Sequence, residues 1–196
     1  MKLNLGCGSD IRPNYVNIDF RSGFGITTID LSKFPWPFDS NSIDEILMFD
    51  FLEHFKYKET DIILNEVWRI LKNNAFVDIQ VPDFECCALA IMMKSGMICN
   101  KCGFKFNDMD LKKLSYCKEC GVNLMSIAHS AIMRLYGGQD YNGNFHYTTF
   151  TKEILLDKLS CTGFHKFVIL EENHQRLNWN FKIRAFKNED IWREND

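Results

Sequence analysis

The chain opens with a strand-like run that passes directly into a Gly-x-Gly turn, and this feature constrains the fold more than any other. The run Leu3-Asn4-Leu5 leads into Gly6-Cys7-Gly8, and a second apolar run (residues 15–18) ends in Asp19. Because glycine has no Cβ, the backbone of such a turn can approach a ligand closely. A carboxylate at the tip of the adjacent strand is placed to accept hydrogen bonds from the two hydroxyls of a ribose. The pattern therefore predicts a parallel sheet whose edge binds an adenosine.

Apolar runs recur along the rest of the chain and predict the remaining strands. They cover residues 26–29, 43–49, 76–81, 167–170 and 179–186. Ile63, Val67 and Ile70 repeat at helical spacing between the fourth and fifth strands. Thr151 and Gly163 are expected to cap and to end a later helix. This alternation predicts a doubly wound α/β fold with a mostly parallel sheet and an antiparallel hairpin at one edge.

The connection between the glycine turn and Asp19 is short. Dinucleotide-binding folds place the acidic residue about 20 residues after the turn, which leaves room for a full helix. Here Asp19 follows Gly8 by eleven residues, and Pro13 lies between them. We therefore expect a first helix of a turn or two at most, and a ligand pocket that is more open on that side.

Further short motifs follow along the chain. They are Asp30-Leu31, Phe34-Pro35-Trp36-Pro37-Phe38-Asp39-Ser40, Leu52-Glu53-His54, Asn65-Glu66-Val67-Trp68-Arg69-Ile70-Leu71-Lys72 and Val81-Pro82-Asp83-Phe84. With the glycine turn, they resemble the motifs of class I S-adenosylmethionine-dependent methyltransferases, over nearly the whole chain except about residues 95–125. The segment from Tyr136 to His146 is similar to a small subgroup of predicted methyltransferases often encoded beside cell-surface saccharide enzymes. The resemblance implies a Rossmann-like, seven-stranded sheet.

The same resemblance implies a set of cofactor-binding residues. The set comprises Asn4, Gly6, Cys7, Gly8, Asp19, Asp30, Leu31 and Phe49. The glycine turn would face the methionine part of S-adenosylmethionine, Asp19 the ribose, and Asp30-Leu31 the adenine. The alternative is that the glycines form only a structural turn, and that the two aspartates are solvated loop acids.

Three residues are candidates for acid–base chemistry: Asp50, His54 and His146. Asp50 and His54 follow the fourth strand, where ligands of open α/β sheets bind, and would share one helix face if a turn forms there. Either could orient or deprotonate a hydroxyl or amine acceptor. Alternatively, His54 holds the loop by hydrogen bonding, while Asp50 caps the following turn. His146 lies among aromatic residues in a glycine-containing segment, which forms either a lid that stacks on the acceptor or a packed loop.

The most specific pattern in the chain is a pair of Cys-x-x-Cys-Gly motifs. Cys99 and Cys102 form the first, and Cys117 and Cys120 form the second, with fourteen residues between them. Four thiolates at this spacing can converge on one tetrahedral Zn²⁺, and two disulfides are the competing interpretation. Eight cysteines without a secretory signal indicate a reducing compartment, which favours zinc. We therefore expect a structural zinc ribbon inserted at about residues 95–125, which either stabilises the domain or helps to recognise the acceptor.

Length and composition predict one domain. A chain of 196 residues accommodates a single domain (residues 1–196) with a small insert, and a hydrophobic content of 46% is enough for a sizeable core. The lack of a long apolar run and of a signal peptide predicts a cytoplasmic protein with no membrane partner. A formal net charge of −3 argues against a chain built mainly to coat nucleic acid. The oligomeric state does not follow from the sequence.

Taken with these observations, the resemblance to class I methyltransferases implies an enzyme that transfers a methyl group from S-adenosylmethionine to an oxygen or nitrogen of a small-molecule or saccharide acceptor. The first alternative is a methyltransferase that acts on RNA or protein and uses the zinc ribbon for docking. The second is a non-catalytic module that keeps the fold and acts through a partner, an alternative that the short first connection supports.

Overall fold

A computed structural model describes residues 1–92, 97–99, 102, 104, 117–121, 124–141, 143–172 and 179–188. The strands are β1 (Lys2–Leu5), β2 (Val16–Asp19), β3 (Ile26–Thr28), β4 (Ile43–Phe49), β5 (Leu71–Pro82), β6 (Met97–Cys99), β7 (Leu124–Ser126), β8 (Lys166–Glu172) and β9 (Asn180–Phe186). The helices are a short 3₁₀ helix (Leu52–His54), α1 (Tyr57–Ile70), α2 (Phe84–Met92), α3 (Ile127–Tyr136) and α4 (Lys152–Thr162). None of the helices in these ranges has the length and apolarity needed to cross a bilayer.

The described residues form a seven-stranded sheet in the order β3-β2-β1-β4-β5-β9-β8. Strands β1 to β5 pair in parallel, whereas β9 is antiparallel to both β5 and β8. This confirms the predicted α/β class with an antiparallel hairpin at one edge. The order of the strands reverses at β1 and β4, and open α/β sheets bind ligands beside the carboxyl ends of the strands at such a point.

The apolar periodicities of the sequence account for the layers on the sheet. Ile46 and Met48 point to one face of β4 and Leu47 to the other, and all three are buried, as expected of a central strand covered on both faces. Helix α1 buries Ile63, Val67 and Ile70 in the same core. The side chain of Thr151 accepts a hydrogen bond from the backbone N–H of Ile154 at the start of α4, and Gly163 ends that helix at a φ of 113°. Both predicted helix ends are confirmed.

The first connection differs from the expected short helix. Residues 6–15 are all described and contain turns without a helix. The side chain of Asn4 donates to the carbonyl of Asp10 (2.7 Å), and the side chain of Asn17 accepts from the backbone N–H of Arg12 (2.9 Å). Two buried asparagine side chains therefore satisfy backbone groups that a helix would have satisfied internally. The connection stays close to the sheet.

Strand β5 begins at Leu71, five residues before the predicted start. Leu71 pairs with Ile43, and the register shifts before regular pairing with β4 begins at Phe76. Asn74 lies in the left-handed region at a φ of 64°, and its N–H donates to the carbonyl of Lys187. The polar residues in this irregular stretch hide the beginning of the strand from a search for apolar runs.

Helices α2 and α3 flank the cysteine-containing insert and pack together. Cys87, Ala131, Leu135 and Trp179 form a second, smaller apolar cluster at their contact. Between the two helices, β6 and β7 pair in an antiparallel ladder. A helix therefore stands on each side of the insert, and the two helices are held together by an apolar contact.

Candidate functional site

A cavity of about 790 Å³ lies at the carboxyl ends of β1, β2, β3 and β4. Its lining includes seven of the eight predicted cofactor-binding residues: Gly6, Cys7, Gly8, Asp19, Asp30, Leu31 and Phe49. The volume falls within the usual range of small-molecule sites. The tertiary structure therefore brings together residues from four consecutive strands that the sequence placed on one edge.

The glycine turn has backbone angles that other residues rarely adopt. Gly6 and Gly8 have φ values of 64° and 53°. A Cβ on Gly6 would lie 2.3 Å from a ring carbon of Phe51, a distance at which the ring would have to move. The N–H of Gly8 donates to the Asp19 carboxylate at 2.9 Å. The turn and the tip of β2 are thus joined directly.

Asp19 is 4% exposed and strongly hydrogen-bonded. Besides the Gly8 N–H, its carboxylate accepts from the backbone N–H (2.9 Å) and Nε (3.2 Å) of Arg21. Burial opposes its ionisation, but these hydrogen bonds and the Arg21 charge outweigh burial and lower the pKa of Asp19 below its ordinary value. Asp19 is therefore an ionised acceptor at the wall of the cavity.

The other predicted cofactor residues occupy distinct places. Asn4 is buried beneath the turn, outside the cavity lining, and donates to the carbonyl of Asp10 and to Asn17. Asp30 is exposed and accepts from the N–H and hydroxyl of Ser32, which lowers its pKa. Leu31 is buried beside it. Asn4 thus supports the connection, whereas Asp30 and Leu31 face the cavity.

The sequence did not point to three cationic residues in the cavity lining. The guanidinium carbon of Arg12 lies 5.0 Å from the centre of the Phe49 ring, and Nζ of Lys182 lies 4.2 Å from the same centre. Arg21 lies over the ring of Tyr141 at 5.2 Å. Arg12 lies just after the glycine turn and Arg21 just after Asp19, and this closeness in the sequence could have indicated that both line the site. Lys182 comes from β9, and no local pattern connects it with the site.

Asp50 precedes the 3₁₀ helix and does not share a helix face with His54. It has a φ of 49°, and its carboxylate accepts from the side chains of Asn180 (2.7 Å) and Gln80 (3.4 Å). The helix comprises only Leu52–His54. The expected i, i+4 arrangement is therefore not formed, because the left-handed residue breaks the helical path before Leu52.

His54 and His146 come together although they are far apart in the sequence. Their rings meet edge to face with centroids 4.7 Å apart. Nδ1 of His54 bonds the carbonyl of Phe145 at 3.0 Å, and Nδ1 of His146 bonds the carbonyl of Arg134 at 2.7 Å. Burial lowers the pKa of both imidazoles below the ordinary value. His54 lines the cavity, whereas His146 is absent from its lining.

Glu53 is a functional candidate that the sequence reasoning missed. It is 1% exposed, and neither carboxylate oxygen has a hydrogen-bond partner among the described residues. Burial, with the charge of Asp50 in addition, raises the pKa of Glu53 well above its ordinary value. The Leu-Glu-His motif contained the residue, but only its burial in the folded chain makes it unusual.

The aromatic segment after α3 is attached to the 3₁₀ helix. The backbone N–H of Tyr147 donates to the carbonyl of Glu53 at 2.8 Å, and the N–H of His146 donates to the carbonyl of Tyr136 at 3.1 Å. Tyr141, Phe145 and Tyr147 line the cavity. The segment thus contributes rings to the cavity wall while its backbone is held at two points.

Three of the four predicted zinc ligands lie together. The sulfurs of Cys102, Cys117 and Cys120 are within 4.8 Å of one another, and those of Cys102 and Cys117 are 3.7 Å apart. Gly121 has a φ of 70°, and its N–H donates to the carbonyl of Cys117, so the second motif forms a tight turn. Cys99 is the last residue of β6, and its side chain lies outside the described residues. Soft thiolates in this arrangement suit Zn²⁺.

Comparisons with known proteins give structural likenesses. No family model matches the sequence, and no curated protein is significantly similar to it. A SAM-dependent methyltransferase from Archaeoglobus fulgidus superposes with a TM-score of 0.54 at 13% identity, over 95% of this chain and 85% of that one. A possible histamine N-methyltransferase from Thermotoga maritima gives 0.55 at 14% identity, over 95% and 82%.

A third structure was solved with ligands. It is the 1,6-didemethyltoxoflavin-N1-methyltransferase of Burkholderia thailandensis with 1,6-didemethyltoxoflavin and S-adenosylhomocysteine bound, and it gives a TM-score of 0.52 at 12% identity, over 96% of this chain and 71% of that one. At such low identities, these likenesses establish the fold alone. The chain has the fold of class I S-adenosylmethionine-dependent methyltransferases.

Proposed function

We propose that this protein transfers a methyl group from S-adenosylmethionine to an oxygen or nitrogen of a small-molecule or saccharide acceptor. The observation that carries the proposal is the joined pair of the glycine turn and the ionised Asp19 at the wall of the cavity. The shared fold with structures named as methyltransferases, one of them with S-adenosylhomocysteine bound, supports the same conclusion.

The described residues fit this cofactor. Asp19 accepts three hydrogen bonds, whereas a carboxylate offers about four acceptor sites, so capacity remains for a ribose hydroxyl. Accepting both hydroxyls would require Arg21 to release its longer Nε contact. Asp30 and Leu31 would hold the adenine, and Arg12 and Lys182 supply positive charge for a carboxylate. When bound, the sulfonium supplies the activated methyl group, so the protein has mainly to bind and orient.

The acceptor would enter beside the aromatic segment. Tyr141, Phe145 and Tyr147 present rings on which a sugar or a planar ring can stack. His54 faces the same cavity with its Nε2 unprotonated, because a carbonyl only accepts and Nδ1 therefore carries the proton. His54 can hold the carbonyl of Phe145 through Nδ1 and contact an acceptor through Nε2, so the two roles are compatible. Asp50 lines the cavity as an acceptor held by Asn180.

We also propose that Cys99, Cys102, Cys117 and Cys120 bind one structural Zn²⁺. The clustering of three of these sulfurs supports the proposal. A protein that loses one zinc per chain when chelated, and whose thermal stability falls at the same time, would fit this role. Zinc content that is unchanged when Cys117 and Cys120 are replaced by serine would contradict it.

Isothermal titration of the zinc-loaded protein with S-adenosylmethionine and S-adenosylhomocysteine tests the cofactor proposal. We expect binding of both, weakened by about 1–3 kcal/mol in Asp19→Ala because charge-assisted hydrogen bonds are lost. Asp44→Ala is the matched control, since Asp44 lies at the amino end of β4 and outside the cavity. Absence of binding to folded protein would point to the non-catalytic module. Salt-dependent RNA binding through the insert would favour the macromolecular acceptor.

A further inference from the structure

A second cluster of potential metal ligands lies behind the cavity, apart from the cysteines. It consists of Glu53, His54 and His146, and one ligand atom from each lies within 4.8 Å of the other two. The first two residues belong to the 3₁₀ helix after β4, and the third comes from the segment that follows α3. We call these residues the Glu-His-His cluster.

The Glu53 carboxylate has no structural explanation within the described part of the chain. Its side chain is almost fully buried, and both oxygens lack hydrogen-bond partners. Buried polar groups are nearly always hydrogen-bonded, and buried carboxylates are nearly always paired or coordinated to a metal. Arg134 is the positive charge that acts on it, but the guanidinium of Arg134 donates to Asn180 instead. A bound cation, in place of the proton that the raised pKa favours, would supply the partner that this group lacks.

The two histidines are oriented as metal ligands usually are. Each directs Nδ1 to a backbone carbonyl, His54 to Phe145 and His146 to Arg134. A carbonyl only accepts, so the ring nitrogen that bonds it carries the proton, and with the proton on Nδ1 the lone pair lies on Nε2. Metal-binding histidines commonly donate their other ring nitrogen in this way, which fixes the tautomer and the ring orientation. Burial also lowers the pKa of both imidazoles, which favours the neutral form that coordination uses.

We propose that the Glu-His-His cluster binds a divalent metal ion through a Glu53 oxygen and Nε2 of His54 and His146. One carboxylate with two imidazoles suits first-row ions such as Mn²⁺, Fe²⁺ or Co²⁺, whereas the thiolates of the insert select Zn²⁺. Metal–ligand bonds of about 2.1 Å place neighbouring donors about 3 Å apart, so the three side chains would have to draw together from a spacing of ligand atoms that now reaches up to 4.8 Å. Such a contraction is within the reach of side-chain rotation.

The Glu-His-His cluster lies beside the cavity, so an ion bound there could contact the acceptor. His54 lines the cavity, so an ion bound to it would lie at the cavity wall with coordination positions left for oxygen ligands. A bound cation lowers the pKa of a coordinated hydroxyl and orients it. This consequence rests on the proposed methyl transfer and would make the acceptor a hydroxyl compound. The metal site itself does not depend on that function.

Mn²⁺ titration of the zinc-loaded protein, followed by electron paramagnetic resonance and calorimetry, tests the site. We expect one Mn²⁺ per chain, with affinity reduced at least tenfold in Glu53→Gln and in His146→Ala. Glu85→Gln and His165→Ala are matched controls, since both residues are exposed and outside the cluster. The controls should bind Mn²⁺ like the wild type. Saturating Mn²⁺ should raise the melting temperature of the wild type and of the controls, but not of Glu53→Gln.

Two results would overturn the proposal: no Mn²⁺ binding at millimolar concentration, or equal Mn²⁺ binding by Glu53→Gln and the wild type. Glu53→Gln keeps the volume of the side chain, so circular dichroism should show a native fold. S-adenosylhomocysteine binding, measured on the same samples, separates the two proposals. Retained S-adenosylhomocysteine binding without Mn²⁺ binding would overturn the metal site and leave the cofactor site standing. Retained Mn²⁺ binding without S-adenosylhomocysteine binding would overturn the cofactor site and leave the metal site standing.

Discussion

Two buried ionisable residues near opposite ends of β4 differ in how their side chains are hydrogen-bonded. Lys187 is 3% exposed, and its ammonium donates to Asn41 Oδ1 (2.7 Å) and to the carbonyls of Trp68 (2.8 Å) and Leu71 (2.9 Å). Glu53, past the carboxyl end of the strand, is equally buried and has no partner among the described residues. One buried group is fully hydrogen-bonded, and the other is not.

We interpret this difference as one between an ionisable group that stabilises the fold and one that is a candidate for ligand binding. Lys187 joins the end of β9 to the end of α1 and to the start of β5, so each of its hydrogen bonds stabilises the fold. The carboxylate of Glu53 makes no such bond with any described residue, and folding therefore gains nothing from it. A fold that keeps an unfavourable group beside a cavity and two histidines indicates a ligand that would balance it.

Replacement of Lys187 should give the largest effect on stability. In Lys187→Met the apolar stem is kept, but two backbone carbonyls and the Asn41 side chain lose their donor, and we expect the free energy of unfolding to fall by about 3 kcal/mol. Denaturant unfolding followed by fluorescence measures the change. Lys72→Met is the matched control, because Lys72 forms an exposed ion pair with Asp44 and should matter little. Equal losses of unfolding free energy in Lys187→Met and Lys72→Met would contradict a structural role for the buried ammonium of Lys187.

Glu53→Gln should stabilise the metal-free protein, whereas Lys187→Met destabilises it. The raised pKa of Glu53 makes folding at pH 7 carry the cost of protonating its carboxylate, and glutamine removes that cost, so we expect the free energy of unfolding to rise by about 1–2 kcal/mol. The same unfolding measurement, made after treatment with a chelator that spares the zinc site, gives the value. A loss of stability would mean that the carboxylate has a stabilising partner and that the contrast with Lys187 is wrong.

Asp19→Asn should have the smallest effect on stability, and the effect should appear only at acidic pH. Its folded-state pKa is lowered, so its contribution is present above the unfolded value of 3.8 and is lost as the pH falls through the folded value. The stability of the wild type should therefore decrease more steeply below about pH 4 than that of Asp19→Asn, by on the order of 1 kcal/mol because solvent near the cavity screens Arg21. Unfolding curves between pH 2 and pH 5 measure the difference, and parallel curves would contradict it.

Much of the fold was predictable because it depends on local periodicity. Ile63, Val67 and Ile70 repeat at helical spacing, and Thr151 and Gly163 carry the chemistry of a helix start and a helix end. The start of β5 was not predictable, because Leu71 joins the sheet through pairing with Ile43, whereas the polar residues that follow it lie in an irregular stretch.

Some features of the candidate site were likewise predictable from the sequence, and others were not. The sequence alone identified the glycine turn, Asp19, the Leu-Glu-His motif and the paired cysteine motifs, because each feature is written within a few neighbouring residues. Only the tertiary structure brought Lys182 to Phe49 and His146 to His54, across long separations in the chain. It also decided that Glu53 is buried without a partner. Burial and partners depend on which segments pack together, and no short stretch of sequence specifies that packing.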